Sequence, residues 1–212
     1  MRTVAPFFIV VLLVLSFVVN GQNFEGTIIY QTSYKSKIPS VSDADFTQMM
    51  GTTMEYNQKE GNYRSNTNGT FLQWQLYVNK DNKMYTKIAT SPAILWNDGA
   101  ENPDSVLKSE LKKNAVEILG YKCDELILTC KSGVQKYYFS SKLPLDPGLF
   151  ENLKFGNFYT YLSTAKALPL KMVMEQAQFT LEAVATSVEE KKLDAADFSL
   201  PPDAELQKNP YN

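Results

Sequence analysis

The stretch Leu72-Gln73-Trp74-Gln75-Leu76-Tyr77-Val78 decides the fold class, because large apolar residues occupy its even positions while Gln and Tyr take the odd ones. A period of two marks an extended strand with one face against a core. The same alternation recurs on both sides. In Phe24-Glu25-Gly26-Thr27-Ile28-Ile29-Tyr30-Gln31-Thr32-Ser33-Tyr34 the apolar weight falls mainly on Phe24, Ile28, Tyr30 and Tyr34. Near the C-terminus Ala177, Phe179, Leu181, Ala183 and Ala185 alternate with Gln178, Thr180, Glu182, Val184 and Thr186. Turn signals at Asn66-Thr67-Asn68-Gly69, Asn79-Lys80-Asp81-Asn82, Asn97-Asp98-Gly99 and Lys131-Ser132-Gly133 each separate two apolar runs. That spacing leaves no room for the helical crossovers parallel strands require. The expectation is a mainly β protein, an antiparallel meander of roughly ten strands.

Two stretches depart from the alternation. Ser42-Asp43-Ala44-Asp45-Phe46-Thr47-Gln48-Met49-Met50-Gly51 has a capping residue, early acids and a closing glycine, the marks of a short helix. Pro147 to Phe155, continuing to Phe158, Tyr159 and Tyr161, carries a helical repeat. Ahead of the first strand, Met1-Arg2-Thr3 precedes the apolar run Val4 to Val19 and then Val19-Asn20-Gly21. This is the order of a secretory signal peptide, and the run falls short of the ~20 apolar residues of a membrane span. The organisation expected is a leader at 1–21, one domain at 22–205 and a loose tail at 206–212. The exported protein would be periplasmic or secreted, with no transmembrane segment once the leader is cut.

Composition excludes more than it assigns. The 212 residues include no histidine, so a Ser-His-Asp triad, a Cys-His pair and His-ligated metals are out of reach. With 21 Lys+Arg against 23 Asp+Glu the net charge is −2, unlike that of a nucleic-acid binder. After the leader, Arg64 is the only arginine. Cys123 and Cys130 lie seven apart in one strand-like run, which would place them on opposite faces and roughly 23 Å apart at ~3.3 Å per residue. A disulfide tolerates only about 4.4–6.8 Å between Cα atoms, so two unpaired, buried thiols are expected. Asp43-x-Asp45 lacks the further oxygens of a calcium loop, and Glu189-Glu190-Lys191-Lys192 reads as a solvated strand end. Neither implies a metal, and no cofactor is expected.

The series Gly120-Tyr121-Lys122-Cys123, Ser132-Gly133, Tyr137-Tyr138-Phe139-Ser140, Leu168-Pro169-Leu170-Lys171-Met172, Ala185 to Asp194 and Phe198-Ser199-Leu200-Pro201 resembles the exported bacterial family called domain of unknown function 4412. The match runs over roughly residues 24–202. That family is similar in fold to LolA-type lipoprotein carriers. The resemblance implies a strongly curved antiparallel sheet, a half-open β-barrel whose concave apolar face is covered by short helices and holds acyl chains. Such carriers close their lid with an early-strand arginine; Arg64 occupies an early strand-like run, but its surroundings do not match closely enough to transfer the role.

A carrier of that kind lines its cavity with one parity of several strands, which nominates Ile28, Tyr30, Trp74, Leu76, Val78, Phe179 and Leu181. Met49, Met50, Met54, Met84, Met172 and Met174 add flexible thioethers that repack around varied ligands. The leading expectation is a non-enzymatic envelope protein that binds a lipid, a lipoprotein acyl chain or another hydrophobic ligand. The alternative is an envelope protein-interaction module with a filled core. No catalytic constellation stands out.

Overall fold

A computed structural model describes residues 23–210, so the expected leader lies outside the described residues. Among the described residues twelve strands form one sheet: β1 (Gly26–Ser36), β2 (Thr53–Lys59), β3 (Asn62–Thr67), β4 (Leu72–Val78), β5 (Lys83–Ile88), β6 (Ile94–Asp98), β7 (Val106–Ile118), β8 (Tyr121–Cys130), β9 (Val134–Pro144), β10 (Ala167–Glu175), β11 (Phe179–Glu190) and β12 (Leu206–Lys208). Two short α-helices accompany them, α1 (Asp43–Met50) and α2 (Phe158–Ala165). The mainly β expectation holds.

The order across the sheet is β12-β6-β5-β4-β3-β2-β1-β11-β10-β9-β8-β7. It is two antiparallel meanders, β1–β6 and β7–β11, joined where β1 pairs with β11. The sheet is open, with β12 and β7 at its edges. β6 and β7 are consecutive in sequence but ten strand positions apart, about 48 Å in a flat sheet at ~4.8 Å per strand. The connection 99–105 reaches at most about 28 Å at ~3.5 Å per residue, so the sheet has to curl.

The β1–β11 seam is long and carries one irregularity. Ile28 faces Val188, but after a shift between Ile29 and Tyr30 the partners become Tyr30 and Ala185, Thr32 and Ala183, Tyr34 and Leu181. Thr186 is the extra residue, and its hydroxyl donates to the Ile29 carbonyl at 3.1 Å. A one-residue bulge switches the parity of β11, so Val188 and the row Ala185, Ala183, Leu181 all face the core despite their odd–even mismatch. At the start of the seam Gly26 (φ 154°) lies against β11; a Cβ there would sit 2.1 Å from the Glu189 carbonyl oxygen.

Glu25 pins this end. Its Oε1 accepts from Lys59 Nζ (2.7 Å) and the Leu193 amide (2.9 Å), and its Oε2 from Lys192 Nζ (2.8 Å). One carboxylate thus ties β2, the start of β1 and the exit of β11.

The concave face carries the main core. Under it run the 3-10 turn Pro147–Phe150, the loop through Leu153 and helix α2, whose Phe158, Tyr161, Leu162 and Ala165 form one apolar stripe. Tyr161 stacks on Tyr137 of β9 with centroids 4.1 Å apart, and Phe158 stacks on Tyr63 of β3 at 5.5 Å. α1 covers the far end, where Phe46 packs with Tyr34 and Phe179. A second, smaller core lies on the opposite face: Leu76, Tyr85, Ile94 and Phe198, flanked by Trp74, Val78 and Trp96. Residues 193–204, including the 3-10 turn Ala195–Phe198, cross that face.

Two local expectations are corrected. Part of the segment expected to be loose, Leu206–Lys208, pairs in parallel with Ile94–Trp96. Cys123 and Cys130 are both free and buried, but in the same core rather than on opposite faces. Cys123 lies before the β8–β9 ladder begins at Asp124, where β7 gains two residues on β8 between Lys112 and Val116.

The Glu25 cluster predicts an acid response. The Lys192 and Lys59 ammonium groups, then the Leu193 amide, hold the Glu25 carboxyl at about 2, below its ordinary 4.5. A depressed carboxylate pKa stabilises the fold above the unfolded value, and that stabilisation is lost as pH falls through the folded value. Glu25→Gln removes the contribution, so urea midpoints of wild type and variant should differ most above pH 5 and converge by about pH 2. A pH-independent gap would contradict the assignment.

Candidate functional site

Between the concave face and α2 the structure leaves a cavity of about 280 Å³. Its wall is built by sheet register. Tyr30 of β1 sits opposite Met54 of β2 on one side and Ala185 of β11 on the other, while Met174 of β10 sits opposite Leu181 of β11. Tyr30, Met54, Met172, Met174 and Leu181 line one side, and Tyr56, Tyr63 and Met84 continue the wall across β2, β3 and β5. Phe155, Phe158 and Tyr161 come from the segment 147–165 that covers this face, termed the lid below, and Tyr137 from β9. Met54, Met172, Met174 and Leu181 are only half-buried, so the cavity reaches solvent past flexible side chains.

The tyrosine hydroxyls are engaged within the protein. Tyr30 donates to the Pro169 carbonyl (2.6 Å) and Tyr161 to the Ala167 carbonyl (2.7 Å). Register shifts on either side of Pro169 interrupt the β9–β10 ladder, and these hydroxyls satisfy two carbonyls of that stretch. Tyr137 and Tyr56 donate to Gln135 and Gln58 at 3.1 and 3.3 Å, and Tyr63 points at the Met84 sulfur at 3.7 Å. What faces the cavity is therefore ring and thioether, with Ser65 and Gln75 as polar members of the wall. Burial pushes the phenols of Tyr30, Tyr56, Tyr63, Tyr137 and Tyr161 well above their ordinary value, so they stay neutral at physiological pH. Burial likewise raises Cys130 to about 11 and raises Cys123, which makes both poor thiolates.

The lid is held at its entry by Asn157. Gly156 and Asn157 both have φ 63°, a left-handed pair that glycine and asparagine tolerate best. The Asn157 side chain is buried, accepts from Asn102 Nδ2 (2.7 Å) and donates to Cys130 Sγ (3.4 Å). Nearby, the Lys154 and Phe155 amides donate to the Gly99 carbonyl at 2.6 and 3.0 Å. One short segment thereby fastens the lid to the connection between β6 and β7 and to β8.

Of the seven nominated residues, Tyr30 and Leu181 stand in the wall, and Ile28 is fully buried in the core beside it. Phe179 is on the concave side but packs under α1 with Tyr34 and Phe46. Trp74, Leu76 and Val78 are corrected: they face the convex side, in the second core. β4 is covered on both faces, and its odd residues Gln75 and Tyr77 turn inward. Sequence reasoning missed the aromatic members Tyr56, Tyr63, Tyr137, Phe158 and Tyr161. The density of aromatics around 137–161 was the available signal. Arg64 also faces the convex side, 4.7 Å over the Trp74 ring, donating to Asn66 Oδ1 (3.0 Å) and the Asp197 carbonyl (3.4 Å). It secures the C-terminal crossing rather than the lid. Beside it lies a polar hollow of about 520 Å³ walled by Glu55, Asn57 and Asn66.

Among the described residues no three His, Cys, Asp or Glu side chains converge as metal ligands, and no helix is long and apolar enough to cross a membrane. No protein-family model matches the sequence, and no curated protein matches it. Two solved structures of PNGF-II, in P21 and C2 space groups, are similar, with TM-scores of 0.46 and 0.47 and 15% and 16% identity. They match 88% and 87% of this chain, which spans only 32% and 31% of theirs.

The lid anchor is testable. Asn157→Ala removes two side-chain contacts and places a Cβ-bearing residue without asparagine's tolerance at φ 63°, which should cost about 2–3 kcal/mol in urea unfolding. Asn157→Gly keeps the backbone relaxed and should cost less than Asn157→Ala. Equal stability of all three proteins would contradict the anchor.

Proposed function

We propose that this protein is an exported, non-enzymatic carrier or binder of a hydrophobic ligand, a member of the domain of unknown function 4412 family with a LolA-like half-open barrel. Residues 1–21 are its leader, and the bacterial periplasm or exterior is its place of work. The observation that carries the reading is the half-open aromatic and thioether cavity whose phenolic hydroxyls are already bonded within the protein. Such a wall offers an incoming molecule contact area and few unsatisfied polar groups, so apolar surface supplies the affinity.

Size narrows the ligand. About 280 Å³ is just below the roughly 300–1,000 Å³ usual for ligand pockets. One alkyl chain or a compound of one or two rings suits it; a whole multi-chain lipid does not, unless the methionines swing aside. Met54, Met84, Met172 and Met174 supply that adaptability.

The test is titration of delipidated protein with a fluorescent fatty acid. Saturable one-to-one binding is expected. Met172→Trp fills the cavity from its half-buried wall and should weaken binding by about tenfold or more. Val78→Ala, on the convex face, should leave affinity within about twofold. Absence of saturable binding, or a loss caused equally by both substitutions, would overturn the reading.

A further inference from the structure

Among the described residues strand β7 ends the sheet with only β8 beside it, and its 13 residues are exposed along most of their length. A long unpaired edge presents a row of free backbone donors and acceptors. Leu107 and Leu111 on it are 65% and 44% exposed. We propose that β7 pairs antiparallel with β7 of a second copy of this chain, about a two-fold axis at Ser109, joining two sheets into one.

The sequence of the edge selects that partner. Leu107-Lys108-Ser109-Glu110-Leu111 reads apolar, cation, hydroxyl, anion, apolar, so reversing it exchanges only the signs of the charges. Pairing centred on Ser109 sets each Lys108 against Glu110 of the other copy, with Leu111 meeting Leu107, the residue the β7–β8 register skips between Val106 and Lys108. Within one chain Lys108 and Glu110 already share a face and lie 2.8 Å apart, so the two-fold would gather four alternating charges. On the other face, Ser109 and Leu111 lie opposite Leu128 and Leu126 of β8, both fully buried in the core. Leu111 would therefore extend the concave apolar face toward the junction.

Other registers fit worse. Centred on Lys108 or Glu110, the strand places like charges face to face, which is destabilising. Centred on Leu111, Glu110 meets Lys112, but Lys108 then faces Asn114 (φ 51°) inside the irregularity between Lys112 and Val116. Centring on Ser109 keeps the charge pairs within the regular run from Lys108 to Lys112. An isologous contact of the Ser109 kind closes after two copies and leaves no further β7 edge.

Sedimentation of the purified protein across a range of concentrations tests the proposal. Reversible dimerisation is expected, weakened at least about tenfold by Glu110→Lys and restored by the swap Lys108→Glu with Glu110→Lys. All three side chains changed or faced are on the surface, so folding is not the variable read. Ser109→Cys should oxidise to a disulfide dimer, since directly opposed residues have Cα atoms about 4.5–5.5 Å apart. Lys80→Cys, exposed and far from β7 in the sheet order, is the control for random oxidation. A monomer at every concentration overturns the proposal. A dimer that ignores Glu110→Lys, or a Ser109→Cys cross-link no faster than that of Lys80→Cys, also overturns it.

Discussion

The pairing of β1 with β11 is the constraint on which the rest of this structure depends. The chain makes two meanders, each with local contacts, and only this seam joins them into one sheet. Its partners are all more than 140 residues apart in sequence. Loop closure on that scale has to be repaid by burial, and the seam supplies it through Ile28, Tyr30, Ala183 and Ala185, all buried. The Thr186 bulge makes this possible. Without the extra residue Val188 and Ala185 would present opposite faces, and one half of β11 would turn its apolar side to water.

The cavity follows from the same constraint. With β1 and β11 central, the sheet's outer strands lie far apart unless it curls, and the connection from β6 to β7 is too short for a flat arrangement. Curling encloses more volume than the strand side chains fill. The lid segment occupies much of it through Phe150, Leu153, Tyr161 and Leu162, all fully buried. The small Ala183 and Ala185 on β11 and the interrupted pairing around Pro169 keep that part of the floor low. Large aromatics then stand around a space they do not fill, because their hydroxyls are tied to backbone and glutamine groups at the periphery.

Much of the fold was legible in the chain, and the reason is physical. Strands with one buried face announce themselves by alternation, as in the runs beginning at Phe24 and Ala177, and these became β1 and β11. β4 misled for the same reason. Its alternation Leu72, Trp74, Leu76, Val78 is real, but the residues between include Tyr77, which is fully buried on the other side. A strand covered on both faces gives no sign of which face meets the larger core; that is decided by residues 193–204, which cross the convex side. The bulge at Thr186 and the left-handed pair Gly156-Asn157 were equally silent. Both depend on partners distant in sequence, and no local pattern records them.

The two edges of an open sheet pose one problem with two different answers. On one side β6 is covered by β12, three residues long, with Lys208 paired to Glu101 and lying 5.8 Å from the Trp96 ring. Short, charged edges of this kind resist further pairing. On the other side β7 is four times longer, and its charges alternate instead of sharing one sign. Alternating charge deters parallel or misregistered addition, because like charges meet in those arrangements. It does not deter the antiparallel register centred on Ser109, which matches opposite signs within the regular run from Lys108 to Lys112. An edge meant only to repel strands would gain from uniform lysine, which β7 lacks at Glu110 and Ser109. The asymmetry between the two edges therefore points to selective pairing at β7 and simple protection at β12.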